Sequence, residues 1–272
     1  MGQWLSERLG RPFVIENRSG GATNIATETV VRAPPDGYTL LLVSTTHAIN
    51  ATLYEKLNFN VIRDIAPVAG IMRGPNVMVV NPSVPATTVP EFIAYAKANA
   101  GKLNMASGCI GSLGHVSGEL FKMMAGINIG HVPYRGGGPA LTDLLAGQVQ
   151  VYFSPLPAAI EYIRAGTLRA LAVTATTRSE VLPDTPTVSE FVPGYEASTW
   201  FGVGAPKGTP TGIVDKLNNE INAGLADPRM KARLAELGGM ILTGSPTDFG
   251  TLIADETEKL GKVIRSANIK AE

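Results

Sequence analysis

The chain has 272 residues, of which 44% are hydrophobic and 17% are charged, so it can bury one large core or two domain-sized cores. Lys plus Arg and Asp plus Glu number 23 each, and no basic run is present, which excludes the charge pattern of a nucleic-acid binder. One cysteine excludes an internal disulfide framework, and the three histidines match no zinc spacing, so we expect no metal and no other cofactor. No apolar run approaches the ~20 residues that span a bilayer.

Helix and strand signals alternate along the first part of the chain. The pattern predicts, in order, a helix over 3–9, a strand over 12–16, a helix over 24–33, a Pro-Pro-Asp-Gly turn at 34–37 and an apolar strand over 38–43. Continuous apolar strands such as 38–43 and 168–173 are typical of parallel sheets that helices cover on both faces. The predicted fold class is therefore α/β.

The segment 102–147 contains a strand, a glycine turn and a helix twice in succession. A strand over 102–107 leads through the turn 108–112 into a helix over 113–125, and a strand over 129–134 leads through Gly136, Gly137 and Gly138 into a helix over 139–146. Glycines allow a ligand to approach the first N–H groups of a helix, where the helix dipole favours negative charge. Neither turn has the spacing of a P-loop or a dinucleotide fingerprint, which favours a small carboxylate over a phosphate or NAD.

Proline and capping residues mark the rest of the chain. Asp227-Pro228 predicts the start of a helix over 229–237, and Ser245-Pro246 predicts the start of a long helix that ends near 267. A Pro-rich extended stretch begins at Asn81, and a strand is predicted over 199–205. These two extended passages are candidates for hinge strands between two lobes.

Several short motifs occur in an order that resembles the Bug family, the TctC-like extracytoplasmic solute receptors of tripartite tricarboxylate transport. The matching stretches are Glu16-Asn17-Arg18, Pro35-Asp36-Gly37-Tyr38-Thr39-Leu40-Leu41, residues 44–50, Val79-Val80-Asn81-Pro82, Gly118-Glu119-Leu120-Phe121-Lys122, His131-Val132-Pro133-Tyr134-Arg135-Gly136, residues 140–145, residues 182–187 and Trp200-Phe201-Gly202. The ordered set is more specific than any single motif, and it runs from about Leu5 to the C-terminus.

The resemblance implies a type II periplasmic-binding-protein (Venus flytrap) fold with two α/β lobes joined by hinge strands. Lobe 1 would comprise 1–80 and 202–272, and lobe 2 would comprise 81–201, with a ligand cleft between them. The implied function is that of a periplasmic, non-enzymatic receptor that delivers a small carboxylic acid to the permease subunits of the transporter. A monomer is expected.

By the same resemblance, backbone N–H groups and hydroxyl groups of loops hold the ligand carboxylates, some of them through water. The implied ligand-binding residues are Ser44, Thr45 and Thr46 in lobe 1 and Ser107, Gly111, Ser112 and Leu113 in lobe 2. By their positions in the chain, His115, Ser154 and Trp200 are further candidates for the ligand site. Ser44 to Thr46 also suit plain capping of a helix that begins near His47. His115 and Trp200 have structural alternatives, as a packed histidine and a core aromatic residue.

The chain departs from the family in two places. Many members have an acidic residue where this chain has Ser154 followed by Pro155, so a ligand amino group would lose its partner and a plain carboxylic acid is favoured. Members also begin with a signal peptide, a strand and a glycine-rich loop, whereas this sequence opens on the following helix. The resemblance therefore predicts that the first strand of lobe 1 is missing and that the carboxylate pocket is incomplete.

Two other function classes fit the sequence less well. A hydrolase-like α/β enzyme would need an activated nucleophile, but Ile110 breaks the Gly-x-Ser-x-Gly pattern around Ser112, and no carboxylate pair is singled out by spacing. An effector-binding sensor domain can share the two-lobed architecture, but it would need an attached DNA-binding module, and no helix-turn-helix signal is present at the N-terminal end.

Overall fold

The computed structural model describes residues 1–18 and 20–271 and divides into two compact units. Unit 1 comprises Met1–Arg73 and Trp200–Arg265, and unit 2 comprises Gly74–Thr199 with the segment from Ser266 onward. Two of the three changeovers between the units fall inside strands, at Ile65–Val80 and Ser198–Pro206, and the third falls at the end of the helix Pro246–Ser266. The sequence placed the lobe boundaries at 80/81 and 201/202, which lie in or directly after the same two strands.

Helices and strands interleave along the whole chain. The helices are α1 (Gly2–Leu9), α2 (Asn24–Val31), α3 (Thr45–Leu53), α4 (Val61–Asp64), α5 (Val89–Ala98), α6 (Leu113–Ala125), α7 (Gly137–Leu145), α8 (Leu156–Arg164), α9 (Thr211–Ala226), α10 (Pro228–Glu236) and α11 (Pro246–Ser266). The strands are β1 (Leu41–Ser44), β2 (Ile65–Val80), β3 (Asn104–Ser107), β4 (Gly130–Pro133), β5 (Val151–Pro155), β6 (Arg169–Val173), β7 (Ser198–Pro206) and β8 (Met240–Ile241).

The sheet of unit 1 has the strand order β1-β7-β2-β8. β1 pairs antiparallel with β7, in a register that places Leu41 opposite Gly204. A Cβ atom at Gly202 of β7 would lie 2.5 Å from the carbonyl oxygen of Ala69 in β2, so this glycine permits close contact between the two strands. Helices α1 and α9 pack together in the same unit, where the Trp4 indole N–H donates to the carbonyl oxygen of Glu220 at 2.9 Å.

The predicted strand over 12–16 is wrong: among the described residues, this segment has no strand partner. Its apolar side chains are not buried in a sheet, and Val14 and Ile15 are 85% and 74% exposed. The segment lines one side of a groove of about 790 Å³, and Leu40, Leu41 and Leu42 line another part of the same groove. β-branched residues favour a strand only when a neighbouring strand accepts their backbone hydrogen bonds.

The sheet of unit 2 has the order β4-β3-β5-β2-β6. β3 lies between β4 and β5 and runs parallel to both, as expected for strands joined by helices. Helix α6 packs on β5, and the rings of Phe121 and Phe153 meet at a centroid distance of 5.6 Å. This arrangement brings the carboxyl end of β3 beside that of β4, so the glycine turns that follow the two strands become neighbours.

The interpretation of 38–43 and 168–173 as parallel strands is wrong. β1 pairs antiparallel with β7, and β6 pairs antiparallel with β2. In both cases the partner is a long strand that runs in the opposite direction. β7 has nine residues and β2 has sixteen. Apolar composition on both faces indicates burial, and it does not by itself fix the direction of the partner strand.

Capping residues mark several helix ends, some of them where the sequence predicts. Helix α6 occupies 113–125 as predicted, and it ends at Gly126, which has the left-handed φ of 62° that ends many helices. Asp227 caps α10 by accepting from the N–H groups of Arg229 and Met230, as predicted from the Asp-Pro pair. Across residues 1–18 and 20–271, none of the helices combines the length and the apolar character that a membrane crossing requires.

Candidate functional site

The first glycine turn of unit 2 connects β3 to α6. Ser107 ends β3, and Ser112 caps α6 by accepting from the N–H of His115 at 3.3 Å. Gly111 has a φ of 72°, a backbone conformation that residues other than glycine rarely adopt. The structure therefore brings together Ser107, Gly111, Ser112, Leu113 and His115, five of the sequence-predicted site residues.

Most polar groups of this first turn bond within the turn itself. The Ser107 and Ser112 hydroxyls both donate to the carbonyl oxygen of Cys109, at 3.0 and 2.8 Å. The N–H of Gly111 donates to Nδ1 of His115 at 3.2 Å, and the N–H of Ser112 donates to the Cys109 carbonyl. These bonds hold the turn in one shape. The N–H of Leu113, the first residue of α6, has no side-chain cap and no partner within the helix.

Two stacked histidines lie beneath the first turn. The rings of His115 and His131 are 3.6 Å apart and nearly parallel, at 9°. Because Ser107 donates its hydroxyl hydrogen to Cys109, it accepts from Nε2–H of His131 at 2.7 Å. Burial lowers the pKa of His115 to about 3, with smaller contributions from His131 and Lys122, and burial lowers the pKa of His131 to about 4, with a contribution from Lys122. Both imidazoles are thus neutral at neutral pH, and the turn presents no cationic imidazole to a ligand.

The second glycine turn is hydrogen-bonded to the first. The N–H of Gly136 donates to the carbonyl oxygen of Gly108 at 2.7 Å, and the N–H of Tyr134 donates to that of Ser107 at 2.9 Å. Gly136 has a φ of 121°, which only glycine adopts readily. Helix α7 begins at Gly137, and its N-cap makes no side-chain hydrogen bond. The start of α7 therefore keeps free N–H donors, whereas the start of α6 is partly satisfied by its own side chains.

In unit 1, the predicted residues Ser44, Thr45 and Thr46 lie at the junction of β1 and α3. Ser44 is the N-cap of α3 and forms a capping box with His47, which confirms the capping interpretation. The Thr45 hydroxyl accepts from the backbone N–H of Trp200 at 2.9 Å. Thr46 is half-buried, and within the described part of the chain its hydroxyl has no hydrogen-bond partner. Burial lowers the pKa of His47 to about 4, against a smaller opposing effect of a hydrogen bond to the Ser44 backbone.

Ser154 and Trp200 are both buried. The Ser154 hydroxyl donates to the carbonyl oxygen of Pro155 at 3.2 Å, inside unit 2. The Trp200 ring meets Phe249 edge-on at 5.8 Å in unit 1, and its indole N–H is buried with no partner in the described residues. Arg135 is exposed, as expected for a solvated arginine at a strand end. Ligand contacts of Ser154 and Trp200 stay a prediction.

Sequence reasoning gave no weight to Tyr152 of β5, whose ring lies beneath both glycine turns. The alternation of side chains in a strand could have placed Tyr152 and Ser154 on one face, but the position of the hydroxyl depends on the packing of α6 and α7. In residues 1–18 and 20–271, no group of three or more His, Cys, Asp and Glu side chains is arranged to hold a metal ion. Cys109 is a free, exposed thiol.

The sequence matches, over residues 1–269, the family described as "Tripartite tricarboxylate transporter family receptor". Protein BugT of Bordetella pertussis (strain Tohama I) is 36% identical over 269 residues, a match that covers 98% of this chain and 82% of BugT. The relatives extend beyond the matched region.

Solved structures are similar over almost the whole chain. The R. palustris protein Rpa4515, solved with adipate, is 40% identical with a TM-score of 0.86, and the match covers 99% of this chain and 91% of that one. MatC (Rpa3494) from Rhodopseudomonas palustris, solved with bound malate, is 30% identical with a TM-score of 0.81, and the match covers 97% of this chain and 91% of MatC.

Proposed function

Because the chain belongs to the tripartite tricarboxylate transporter receptor family, we propose that it captures a small carboxylic acid in the periplasm and delivers it to the membrane subunits of such a transporter. Family membership confirms the resemblance predicted from the sequence. It also confirms the predictions of a two-lobed α/β periplasmic-binding-protein fold and of a receptor that is not an enzyme.

The observation that carries the proposal is the match over the whole chain to relatives solved with adipate and with malate, two dicarboxylates. The local chemistry of unit 2 supports it. Uncapped N–H groups at a helix start, such as those of α7, favour an anion, and the low pKa values of His115 and His131 keep both rings neutral. Recognition would therefore rest on oriented hydrogen-bond donors.

The proposed contacts combine hydroxyl groups and backbone N–H groups. In unit 1 the Thr46 hydroxyl and the uncapped N–H groups at the start of α3 are the available donors, and in unit 2 the uncapped N–H groups at the starts of α6 and α7 are available. The proposed ligand-binding residues are Ser44, Thr45, Thr46, Ser107, Gly111, Ser112, Leu113, His115, Ser154 and Trp200. In unit 2, Ser107 and His115 would act by holding the turn, since their polar groups already bond to it.

Ser154 supports a plain carboxylic acid over an amino acid. A ligand ammonium group needs a carboxylate or several acceptors, and Ser154 offers a buried hydroxyl that already donates to Pro155. We expect adipate, malate or citrate to bind more tightly than aspartate. The receptor is proposed to act as a monomer.

A thermal-shift screen tests the proposal. A ligand that binds only the folded state stabilises it by about 2.7 kcal/mol at a concentration a hundred times its Kd, which raises the melting temperature measurably. We expect adipate, malate or citrate to raise that temperature, and we expect adipamide, a neutral isostere of adipate, to leave it unchanged.

Two results would contradict the proposal. One is a stabilising effect of neutral or cationic solutes with none from carboxylic acids. The other is recovery of a chemically altered acid after long incubation with the protein, which would favour the enzyme alternative.

A further inference from the structure

Tyr152 lies in β5 with its ring packed beneath glycines of both turns. A Cβ atom at Gly114 would lie 3.3 Å from the ring atom Cε2, and Cβ atoms at Gly137 and Gly108 would lie 3.4 and 3.6 Å from the hydroxyl oxygen. The absence of side chains at these three positions leaves room for the ring. It also leaves the hydroxyl between the backbones of the two turns.

The Tyr152 hydroxyl is the unusual feature. The residue is only 3% exposed, yet its hydroxyl makes no hydrogen bond to any described residue. The hydroxyl oxygen is not among the fully enclosed unpaired atoms, so part of its surface stays accessible. By contrast, the Tyr195 hydroxyl donates to the Ser117 carbonyl at 3.0 Å, and that of Tyr134 donates to Asp143 at 2.6 Å. A buried hydroxyl normally has a partner, so the unpaired Tyr152 hydroxyl is a candidate for contact with a ligand.

A second donor borders the same position. A Cβ atom at Gly108 would lie 3.3 Å from the backbone nitrogen of Gly137 and 3.6 Å from the Tyr152 hydroxyl oxygen. Gly137 is the first residue of α7, so its N–H has no partner within the helix, and no side chain caps that helix. Burial raises the pKa of Tyr152 to about 12, so the phenol is a protonated donor at neutral pH.

We propose that the Tyr152 hydroxyl and the Gly137 N–H together bind one carboxylate of the ligand, at the junction of the two glycine turns. This inference rests on the proposed function and deepens it, because it assigns a specificity contact to Tyr152, which the sequence did not select, and to one donor of the second glycine turn. A phenol donor and a helix-start N–H both require an acceptor oxygen. The contact would therefore favour a carboxylate over an amide or an alkyl group at that end of the ligand.

Tyr152→Phe removes the hydroxyl and keeps the ring. Since the hydroxyl has no protein partner, we expect the melting temperature of the ligand-free protein to stay the same. Affinity for the acid that binds best among adipate, malate and citrate should fall about ten- to a hundredfold in calorimetry, the range for a lost hydrogen bond to a charged group. Tyr195→Phe is the matched control: we expect a lower melting temperature with unchanged affinity, because that hydroxyl bonds to Ser117.

Gly137→Ala tests the same contact without touching the tyrosine. The added methyl group would lie 3.4 Å from the hydroxyl oxygen and cover it, and alanine suits the first turn of a helix. We expect a loss of affinity similar to that of Tyr152→Phe. Gly212→Ala, near the start of α9 with nothing within 4 Å of the added methyl group, controls for the glycine-to-alanine change and should bind as the wild type does.

The outcomes separate the two proposals. If the wild type binds a carboxylic acid and both Tyr152→Phe and Gly137→Ala bind it within twofold of the wild type, the Tyr152 contact is wrong and the receptor function stands. If the wild type binds none of the acids, both proposals are overturned. Loss of affinity in both variants, with folded proteins and unaffected controls, supports the contact.

Discussion

Residues 12–16 of unit 1 and residues 129–134 of unit 2 are both predicted as strands from the sequence, but only the second segment contains a strand in the structure. Residues 130–133 form β4, which pairs in parallel with β3 along its full length. Residues 12–16 form no strand with any described residue, although Phe13, Val14 and Ile15 are more apolar than the Gly-His-Val-Pro sequence of β4. The difference shows that a pairing partner, and not propensity, decides whether such a segment becomes a strand.

The same contrast appears in the burial of each unit. In unit 2 the glycine turns, both strands and Tyr152 pack together, and Phe121 is fully buried among Phe92, Phe153 and Tyr195. In unit 1 the groove of about 790 Å³ leaves Ile15 and Leu42 largely exposed. The glycine turns of unit 2 therefore lie against a packed core, whereas β1 of unit 1 pairs with β7 and also lines the groove.

The largest expected effect on stability comes from truncating a buried aromatic side chain of unit 2. Phe121→Ala removes a ring that contacts three other aromatic rings, so it should destabilise the protein by about 3–5 kcal/mol through lost transfer energy and a residual cavity. Ile15→Ala, the matched truncation in the groove of unit 1, should change stability by less than about 0.5 kcal/mol, because Ile15 is 74% exposed. Urea unfolding measures both. Equal costs would contradict the contrast between the two units.

The second prediction concerns the pH dependence of stability, to which His47 of unit 1 contributes. The pKa of His47 in unit 1 is lowered from 6.5 to about 4, so the unfolded state binds more protons than the folded state between these values. The stabilisation is complete above pH 6.5 and is lost as the pH falls toward 4, on the order of 3 kcal/mol for this group.

His47→Gln tests this dependence, because glutamine at this position keeps the capping-box geometry with Ser44 and does not titrate. Urea unfolding at pH 7, 6, 5 and 4 should show a smaller decline for the variant than for the wild type. The remaining decline would report on other groups, including the stacked pair of His115 and His131 in unit 2. Parallel curves for the variant and the wild type would show that His47 does not titrate in this range.

The smallest effect is expected from filling the groove. Met1 lines the groove, so a strand of six valine and isoleucine residues fused ahead of Met1 through a short glycine linker can reach it. We expect stabilisation by about 1–2 kcal/mol, because burial of each apolar side chain contributes ~1.5–3 kcal/mol and ordering each residue costs ~1–2 kcal/mol. Slower amide hydrogen exchange at Leu41–Ser44 would locate the effect.

The control for this extension has proline at its third and fifth positions, since proline removes the backbone donors that a sheet needs. Equal stabilisation by both extensions would show that the added residues act without joining the edge of β1.

The sequence by itself determined the features that depend on neighbouring residues. Ser44 and Asp227 cap helices as the sequence predicts, and Ser112 caps α6, because in each case a side-chain oxygen bonds to an N–H group two or three residues further along. Gly126 ends α6 for an equally local reason, its left-handed backbone conformation. The ordered motifs were also sufficient to identify the family, since the match covers residues 1–269.

The tertiary structure alone decided which strands pair, in which direction, and which polar groups remain free. The partners of β1 and β6 are long strands distant in the sequence, and residues 12–16 have no partner among the described residues. In the predicted site, the first turn uses most of its donors internally, while the free Tyr152 hydroxyl lies beside the start of α7. Hydrogen bonds between distant residues depend on the packing of whole elements, so a local sequence pattern cannot specify them.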